Sequence, residues 1–180
     1  MRPGLSLKGR ALKYLSMREH SRVELTRKLA PHAESPEQVA QVLDELEQRG
    51  FLSEQRFAES VVHRKASRYG VARVKVELAQ HRLPEHLTRE VTAQLRATEV
   101  DRALALWQRR YGQLPTTPEE KARQMRHLAG RGFSGDTIRQ VFRQAQALAD
   151  SALEDAPLPG AAAEGMSADT VADGWPDGEG

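Results

Sequence analysis

The chain contains no cysteine among its 180 residues. This absence excludes a disulfide framework, a thiolate metal site and a cysteine nucleophile. Aromatic residues make up only 5% of the sequence, so any core must consist mainly of Leu, Val and Ala. No apolar run approaches the roughly eighteen residues that a membrane-spanning helix needs. The first residues also lack the hydrophobic stretch of a signal peptide, and the sequence therefore predicts a cytoplasmic protein.

Basic residues are absent from the last thirty positions, although the whole chain has 27 Lys and Arg against 25 Asp and Glu. Residues 151–180 hold seven acids, so residues 1–150 hold all 27 basic residues and 25 − 7 = 18 acids. The last segment also has few large apolar side chains, and such a composition cannot offset the entropy lost on ordering. It predicts a disordered acidic tail over 151–180. An inert linker is the simpler interpretation, and a segment that shields the basic body is the alternative.

Helix signals recur along residues 1–150, whereas strand and hairpin signals do not. Ser21 with Glu24 three residues later forms a capping box, and Ser35 is followed by a proline suited to a first helical turn. Glycines at 50, 70, 112 and 132 fall where helices should end. The pattern predicts an all-α fold with about nine helices. Their predicted ranges are 8–18, 22–30, 36–49, 54–68, 72–82, 85–96, 99–111, 119–129 and 135–149.

The apolar pattern contains a spacing that occurs three times. A separation of thirteen positions is shared by Leu29 and Val42, Leu78 and Val91, and Leu128 and Val141. It predicts a repeat of about fifty residues, each repeat being a three-helix unit similar to a helix-turn-helix. Three such units in tandem should form an elongated, curved body. The predicted boundaries are 1–52, 53–97 and 98–150 for the repeats and 151–180 for the tail.

The densest basic charge lies within residues 63–82, where six Lys and Arg stand against one acid, Glu77. Cationic side chains of this density bind phosphate groups without reading bases. An acidic protein groove is a second possible partner, and an ordinary solvated surface is the structural alternative. Tyr69 and Tyr111 could stack on bases but are better explained as packing over turns, and Trp107 is a predicted core residue. The predicted partner-binding and DNA-binding surface comprises Arg64, Lys65, Arg68, Arg73, Lys75, Arg82, Arg126 and Arg131.

Residues suited to catalysis or metal binding are poorly represented. The six histidines include no pair at i, i+4 with an intervening Glu, the pattern of a helical zinc site. The glycine-rich segment 130–135 lacks the lysine of a phosphate-binding loop and is better explained as a helix end followed by a cap at Ser134. No nucleophile stands with a base and an orienting group. The sequence predicts neither enzymatic activity nor a cofactor nor a metal site.

Four segments, in order along the chain, resemble motifs of the RecX family. Residues 11–25 resemble its opening helix followed by R-x-x-S-x-x-E-L, and residues 43–58 resemble L-x-x-x-G-h-L-x-D-x-R-F-A, where h is apolar. Residues 64–78 are similar to the basic run R-x-x-x-x-G-x-x-+-I-x-x-E-L, with valine in place of isoleucine. Residues 128–138 are similar to L-x-x-R-G-F-S-x-x-x-I. The four segments span nearly the whole basic body.

The resemblance implies three tandem three-helix repeats and a regulator of RecA, the recombinase that coats single-stranded DNA. A monomer is expected because no heptad pattern demands a dimer. It implies a role in DNA repair, homologous recombination and the SOS response. Members of the family lodge in the groove of the RecA–DNA filament, block its extension, and suppress ATP hydrolysis, strand exchange and co-protease activity. The implied partners are the RecA filament and single-stranded DNA, with double-stranded DNA as a further candidate. No membrane partner is implied. The residues alone leave open a helix-turn-helix protein that binds DNA without RecA, or a scaffold for an unrelated acidic protein.

Overall fold

The computed structural model describes residues 5–154, and over this range all regular secondary structure is helical, without a β-strand. The all-α prediction is therefore confirmed for these residues, while the predicted tail lies outside them from residue 155 onward. The nine α-helices of this range are α1 (Leu7–Met17), α2 (Arg22–Leu29), α3 (Pro36–Gln48), α4 (Glu54–Ala66), α5 (Val71–Ala79), α6 (Glu85–Ala97), α7 (Glu99–Arg110), α8 (Pro118–Gly130) and α9 (Gly135–Glu154), with a short 3₁₀ turn at Ala30–His32.

Helices begin at the capping residues that the sequence indicated. The Ser21 hydroxyl accepts a hydrogen bond from the Glu24 N–H at 3.1 Å, and the Ser134 hydroxyl accepts one from the Thr137 N–H at 3.1 Å. Each bond satisfies one of the N–H groups that have no partner within the first helical turn. Helix ends at Gly50, Gly112 and Gly132 have φ values of 72°, 67° and 83°, the left-handed conformation that favours glycine.

Each set of three helices encloses its own apolar core, which confirms three tandem three-helix repeats. We call α1–α3 the first repeat, α4–α6 the second and α7–α9 the third. Leu29, Leu78 and Leu128, the residues that begin the repeated spacing, are each fully buried in a different core. Trp107 is 3% exposed in the third core, as predicted for a core residue. The repeated spacing therefore marks equivalent core positions.

Helix α9 continues to Glu154, five residues beyond the end that the sequence predicted at 149, so the prediction of a disordered tail is wrong for residues 151–154. The added residues follow an alanine-rich stretch, and alanine has the highest intrinsic helix propensity. α9 runs beside α7 in the same direction, because Glu99 at the start of α7 bonds Thr137 near the start of α9. Further along, Leu148 of α9 lies beside Gly112, which follows α7. From Leu148 to Glu154 the helix advances by about 9 Å, at about 1.5 Å per residue, so the end of α9 extends beyond the end of α7.

Candidate binding surface at the repeat junctions

The second and third repeats meet backbone to backbone. The Gly70 N–H donates to the Arg131 carbonyl at 2.9 Å, and the Ala72 N–H donates to the Gly132 carbonyl at 3.3 Å. A Cβ atom on Gly70 would lie 2.2 Å from the Gly132 carbonyl oxygen, so only glycine fits there.

The position of Gly70 corrects one prediction. The sequence grouped it with glycines that end helices, whereas it is the N-cap of α5 with an ordinary φ of −76°. Glycine is required at this position by space and not by backbone conformation, because the neighbouring repeat fills the volume of a side chain.

A buried carboxylate fastens the same junction. Glu99 is only 5% exposed, and its Oε1 accepts a hydrogen bond from the Val71 N–H at 2.7 Å. Its Oε2 accepts one from the Thr137 hydroxyl at 2.8 Å. The Val71 N–H belongs to the first turn of α5, where N–H groups lack helical partners and the helix dipole favours a negative charge. One side chain thus links α5 of the second repeat to α7 and α9 of the third.

A positively charged side chain, Arg102, also links the two repeats. Its guanidinium donates to the carbonyls of Ala66 at 2.6 Å, Tyr69 at 3.0 Å and Leu95 at 2.7 Å, and so caps the ends of α4 and α6. Burial lowers the pKa of this guanidinium, and the Glu99 carboxylate opposes that shift. By holding the end of α4 against α7, Arg102 fixes the position of the residues that follow α4.

An open cleft of about 720 Å³ lies at this junction, between the ends of α4, α7 and α8. We call it the arginine cleft, because Arg68, Arg109, Arg110 and Arg131 line it and no acidic side chain does. Within residues 5–154, none of these four arginines has a carboxylate at ion-pair distance. The cleft therefore concentrates positive charge that has no counter-charge in the described part of the chain.

Two further side chains give the arginine cleft its shape and field. The Arg131 guanidinium lies 5.9 Å from the centroid of the Tyr69 ring, a cation–π distance, while the ring packs against the core of the second repeat. His127 has a buried Nε2 atom with no hydrogen-bond partner among the described residues. Burial lowers the pKa of His127, and the charges of Arg131 and Arg110 lower it further. The field in the cleft therefore disfavours cations and favours anions.

The first and second repeats meet through a different set of side chains. His81 Nδ1 lies 2.8 Å from the Ser21 hydroxyl, and the His81 ring contacts the Phe57 ring edge-on at 4.6 Å. Arg56 forms an ion pair with Glu19 at 2.8 Å and also donates to two carbonyls at the end of the first repeat. Arg56 at the first junction and Arg102 at the second thus have equivalent roles, since each donates to backbone carbonyls of the preceding repeat.

A second cleft, of about 490 Å³, lies at the first junction between α2 and α5. We call it the mixed cleft, because Arg27 and Arg73 line it together with Glu24 and Glu77. Charges of both signs therefore line this cleft. A phosphate would meet carboxylates as well as guanidinium groups there, so the two clefts differ in the ligands they suit.

The predicted basic residues are divided between these clefts and the open surface. Arg68 and Arg131 line the arginine cleft, and Arg73 lines the mixed cleft. The other five lie outside both clefts. Lys65 pairs with Glu77 at 3.0 Å, Arg64 donates to the Ser60 hydroxyl at 3.2 Å, and Lys75, Arg82 and Arg126 are exposed.

Three basic residues of the cleft were not part of the predicted surface: Arg109, Arg110 and His127. They are distant from Arg68 in the chain, and only the docking of the third repeat on the second brings them together. One signal in the sequence could have found the arginines. Arg-Tyr-Gly occurs at 68–70 and again at 110–112, each time at the end of the first helix of a repeat.

Residues 5–154 contain no group of three or more His, Asp or Glu side chains placed to hold a metal ion. None of the helices in the same range is both long enough and apolar enough to cross a bilayer.

Comparison with known proteins gives consistent matches along the chain. Three family models match in order: the first three-helix domain of RecX over residues 8–46, the second over 53–91 and the third over 97–142. A protein of Leptothrix cholodnii named Regulatory protein RecX is 57% identical over 144 residues, which are 80% of this chain and 92% of the relative. A protein of the same name from Ralstonia nicotianae is 54% identical over 149 residues, 83% of this chain and 94% of the relative.

The fold is also similar to solved structures. The crystal structure of RecX from Lactobacillus salivarius has a TM-score of 0.66 with this chain and is 19% identical to it. The match covers 78% of this chain and 95% of that one. At this level of identity the likeness concerns the fold.

Proposed function

Because the chain belongs to the RecX family of regulatory proteins, we propose that it is a negative modulator of the recombinase RecA. In this proposal the protein binds in the groove of the RecA filament on single-stranded DNA. There it inhibits filament extension, ATP hydrolysis, strand exchange and co-protease activity. The role requires binding alone, without a catalytic step or a cofactor.

The observation that carries the proposal is the arginine cleft. Its guanidinium groups present paired N–H donors, whose geometry matches phosphate and carboxylate oxygens. Phosphate contacts of this kind position a protein on nucleic acid without reading its sequence. A filament modulator needs this property, since RecA filaments form on DNA of any sequence. The cleft therefore supports contact with DNA phosphates or with acidic residues of the filament.

The mixed cleft supports a protein partner beside the DNA. Glu24 and Glu77 would repel phosphates, whereas a protein surface can offer charges of both signs. Two valines at this cleft, Val23 and Val76, are 37% and 59% exposed and provide apolar area for such a contact. A chain that offers one cleft suited to phosphate and a second suited to protein matches the composite surface of a nucleoprotein filament.

The junction between the second and third repeats is formed before a partner binds, and this supports the proposal. Its backbone hydrogen bonds and the buried Glu99 hold the second and third repeats together before any partner arrives. A ligand that contacts both repeats then loses little free energy in ordering them, and preorganisation of this kind increases affinity.

Salt dependence tests this proposal against the alternative of a protein that binds DNA without RecA. Binding to a fluorescein-labelled oligothymidine and inhibition of RecA's ATP hydrolysis would be measured over the same series of salt concentrations. Affinity for free single strands falls with a log–log slope of about −0.7 per neutralised phosphate. The proposal predicts that inhibition persists at salt concentrations that abolish binding to free DNA. Inhibition that disappears in parallel with DNA binding would support the alternative.

A further inference from the structure

We propose that the acidic segment 155–180 of this same chain docks in the arginine cleft and competes there with phosphate-bearing ligands. The docking is an intramolecular contact that involves neither DNA nor RecA. Its regulatory consequence, a reduced affinity for those partners, rests on the proposed function.

Charge complementarity identifies the segment as the occupant. The arginine cleft carries four guanidinium groups that lack carboxylate partners within residues 5–154. Residues 155–180 contain no Lys or Arg, so no positive charge of their own would oppose docking. Their acidic residues are Asp155, Glu164, Asp169, Asp173, Asp177 and Glu179.

The segment is attached close to the cleft. Arg109 and Arg110 end α7, and Gly112, two residues later, lies beside Leu148 and Ala149 of α9. From Ala149 to the end of α9 at Glu154 the helix advances about 7.5 Å, at about 1.5 Å per residue. The segment therefore begins within a few helical turns of the two arginines.

The length of the segment is sufficient for it to reach the whole cleft. It has 180 − 154 = 26 residues. Twenty-six residues reach at most about 85–95 Å when fully extended, which is several times the spacing of about 8–10 Å between packed helices. Because the segment belongs to the same chain, docking is intramolecular, and the resulting effective concentration favours even weak ion pairing.

The family models do not match this segment. The family match ends at residue 142, well before residue 155. The segment can therefore be changed without substituting any residue that matches the family models. This separation suits a regulatory element.

His127 provides a reporter inside the cleft. Its Nε2 has no hydrogen-bond partner among the described residues, and the charges of Arg110 and Arg131 contribute to its lowered pKa. Carboxylates that enter the cleft would offset those charges. Docking therefore raises the pKa of His127 relative to that in a variant whose segment is uncharged.

The chain's lack of cysteine allows a direct test of docking. A nitroxide label on the single cysteine of Gly178→Cys, in the otherwise unchanged full chain, would be used to measure paramagnetic broadening of backbone amides. Docking predicts broadening at 67–69, 109–110 and 127–131. It also predicts that this broadening disappears when the six acids of the segment are changed to Asn or Gln. Broadening confined to the last turn of α9, or unchanged by the neutral segment, would overturn the proposal.

Two double charge-reversal variants, one inside the arginine cleft and one outside it, test whether the segment docks in the cleft. Arg109→Glu with Arg110→Glu should abolish the broadening at 67–69 and 127–131. Arg89→Glu with Arg96→Glu changes the charge equally at exposed positions of α6 outside the cleft and should preserve it. Equal loss of broadening in both pairs would mean that the segment responds to overall charge, and docking in the cleft would be refuted.

Competition is tested separately, with the labelled oligothymidine at low salt. The neutral-segment variant should bind at least about fivefold more tightly than the unchanged chain, the lower range of ordinary coupling between sites. Unchanged affinity would refute competition. Specific broadening in a chain that binds neither DNA nor the RecA filament would uphold docking and refute the proposed function. DNA binding and RecA inhibition without that broadening would support the proposed function and refute docking.

Discussion

The carbonyl oxygen of Gly132 lies where a side chain on Gly70 would begin, 2.2 Å from an ideal Cβ position. These two glycines belong to different repeats, and the Gly70 N–H donates a hydrogen bond to the carbonyl of Arg131, the residue before Gly132. The close approach brings the end of α8 against the start of α5. It therefore also brings Arg131 beside Arg68 and forms one wall of the arginine cleft.

Gly70→Ala is expected to destabilise the protein by about 1–3 kcal/mol, the usual effect of overpacking, because the opposing atoms are backbone and cannot rotate away. Gly130→Ala is the matched control, since a Cβ there would meet no atom within 4 Å. It should leave stability unchanged or raise it by up to about 1 kcal/mol, through helix propensity. Urea unfolding of both variants measures the difference. Equal stability of the two would contradict the close contact at the second junction.

Glu99→Gln is expected to lower the free energy of unfolding by about 1–3 kcal/mol. Gln can offer only one carbonyl oxygen, so its amide N–H₂ must face either the Val71 N–H or the Thr137 hydroxyl, both of which donate to Glu99. Glu90→Gln makes the same chemical change at an exposed position of α6 and should have little effect. Thermal unfolding compares them, and a Glu99→Gln variant as stable as Glu90→Gln would show that the carboxylate does not fasten the repeats.

The fold was predictable because it depends on local signals. Caps such as Ser21 act within one helical turn, and Leu29, Leu78 and Leu128 repeat a spacing set by helix geometry within each bundle. Gly70 was misassigned because its requirement for glycine comes from another repeat. No local pattern distinguishes a glycine that ends a helix from one that accommodates a neighbouring backbone.

The binding surface was only partly predictable for the same reason. Charge density along the chain identified Arg68 directly, and Arg131 was included from the basic set of the third repeat. Arg109 and Arg110 join them only through the packing of α7 beside the end of α4, which depends on Arg102 and Glu99. Sequence density also included Lys65, whose charge is paired with Glu77 in the folded protein.

Stability should fall as the pH is lowered through the range below about 6.5, the ordinary pKa of histidine. Burial lowers the pKa of His20; its hydrogen bond with the Arg18 carbonyl opposes this shift, and the charges of Arg18 and Lys28 add to it. The unfolded chain therefore binds the proton more readily, so stability is complete above that range and decreases as the pH falls toward the lowered value.

The size of this effect is limited to about 1.4 kcal/mol per pH unit for one proton. His20→Gln should reduce the difference in unfolding free energy between about pH 7.5 and about pH 5.5, whereas His86→Gln, at an exposed position, should not. His127, whose pKa is also lowered, contributes to the remaining dependence. Identical pH profiles for the two variants would contradict this assignment to His20.

Charge reversal in the arginine cleft should weaken binding to single-stranded DNA. Arg109→Glu with Arg110→Glu should reduce affinity for the oligothymidine by about tenfold or more, since hydrogen bonds to charged groups contribute about 1.5–3 kcal/mol each. The log–log salt slope should become shallower by about 0.7 for each phosphate that the variant no longer neutralises. Arg89→Glu with Arg96→Glu is again the control, and fluorescence anisotropy is the measurement. An equal decrease in affinity for both pairs would indicate diffuse attraction and not a site.

We propose that this protein acts on the RecA filament and not on bare DNA. The most direct measurement is RecA's hydrolysis of ATP on single-stranded DNA, titrated with this protein well below the RecA concentration. We predict loss of hydrolysis at such ratios, and no loss with Arg68→Glu and Arg73→Glu, a double variant that alters both clefts at exposed positions and is expected to fold. Inhibition that begins only when the protein saturates the DNA, or none at any ratio, would contradict the claim.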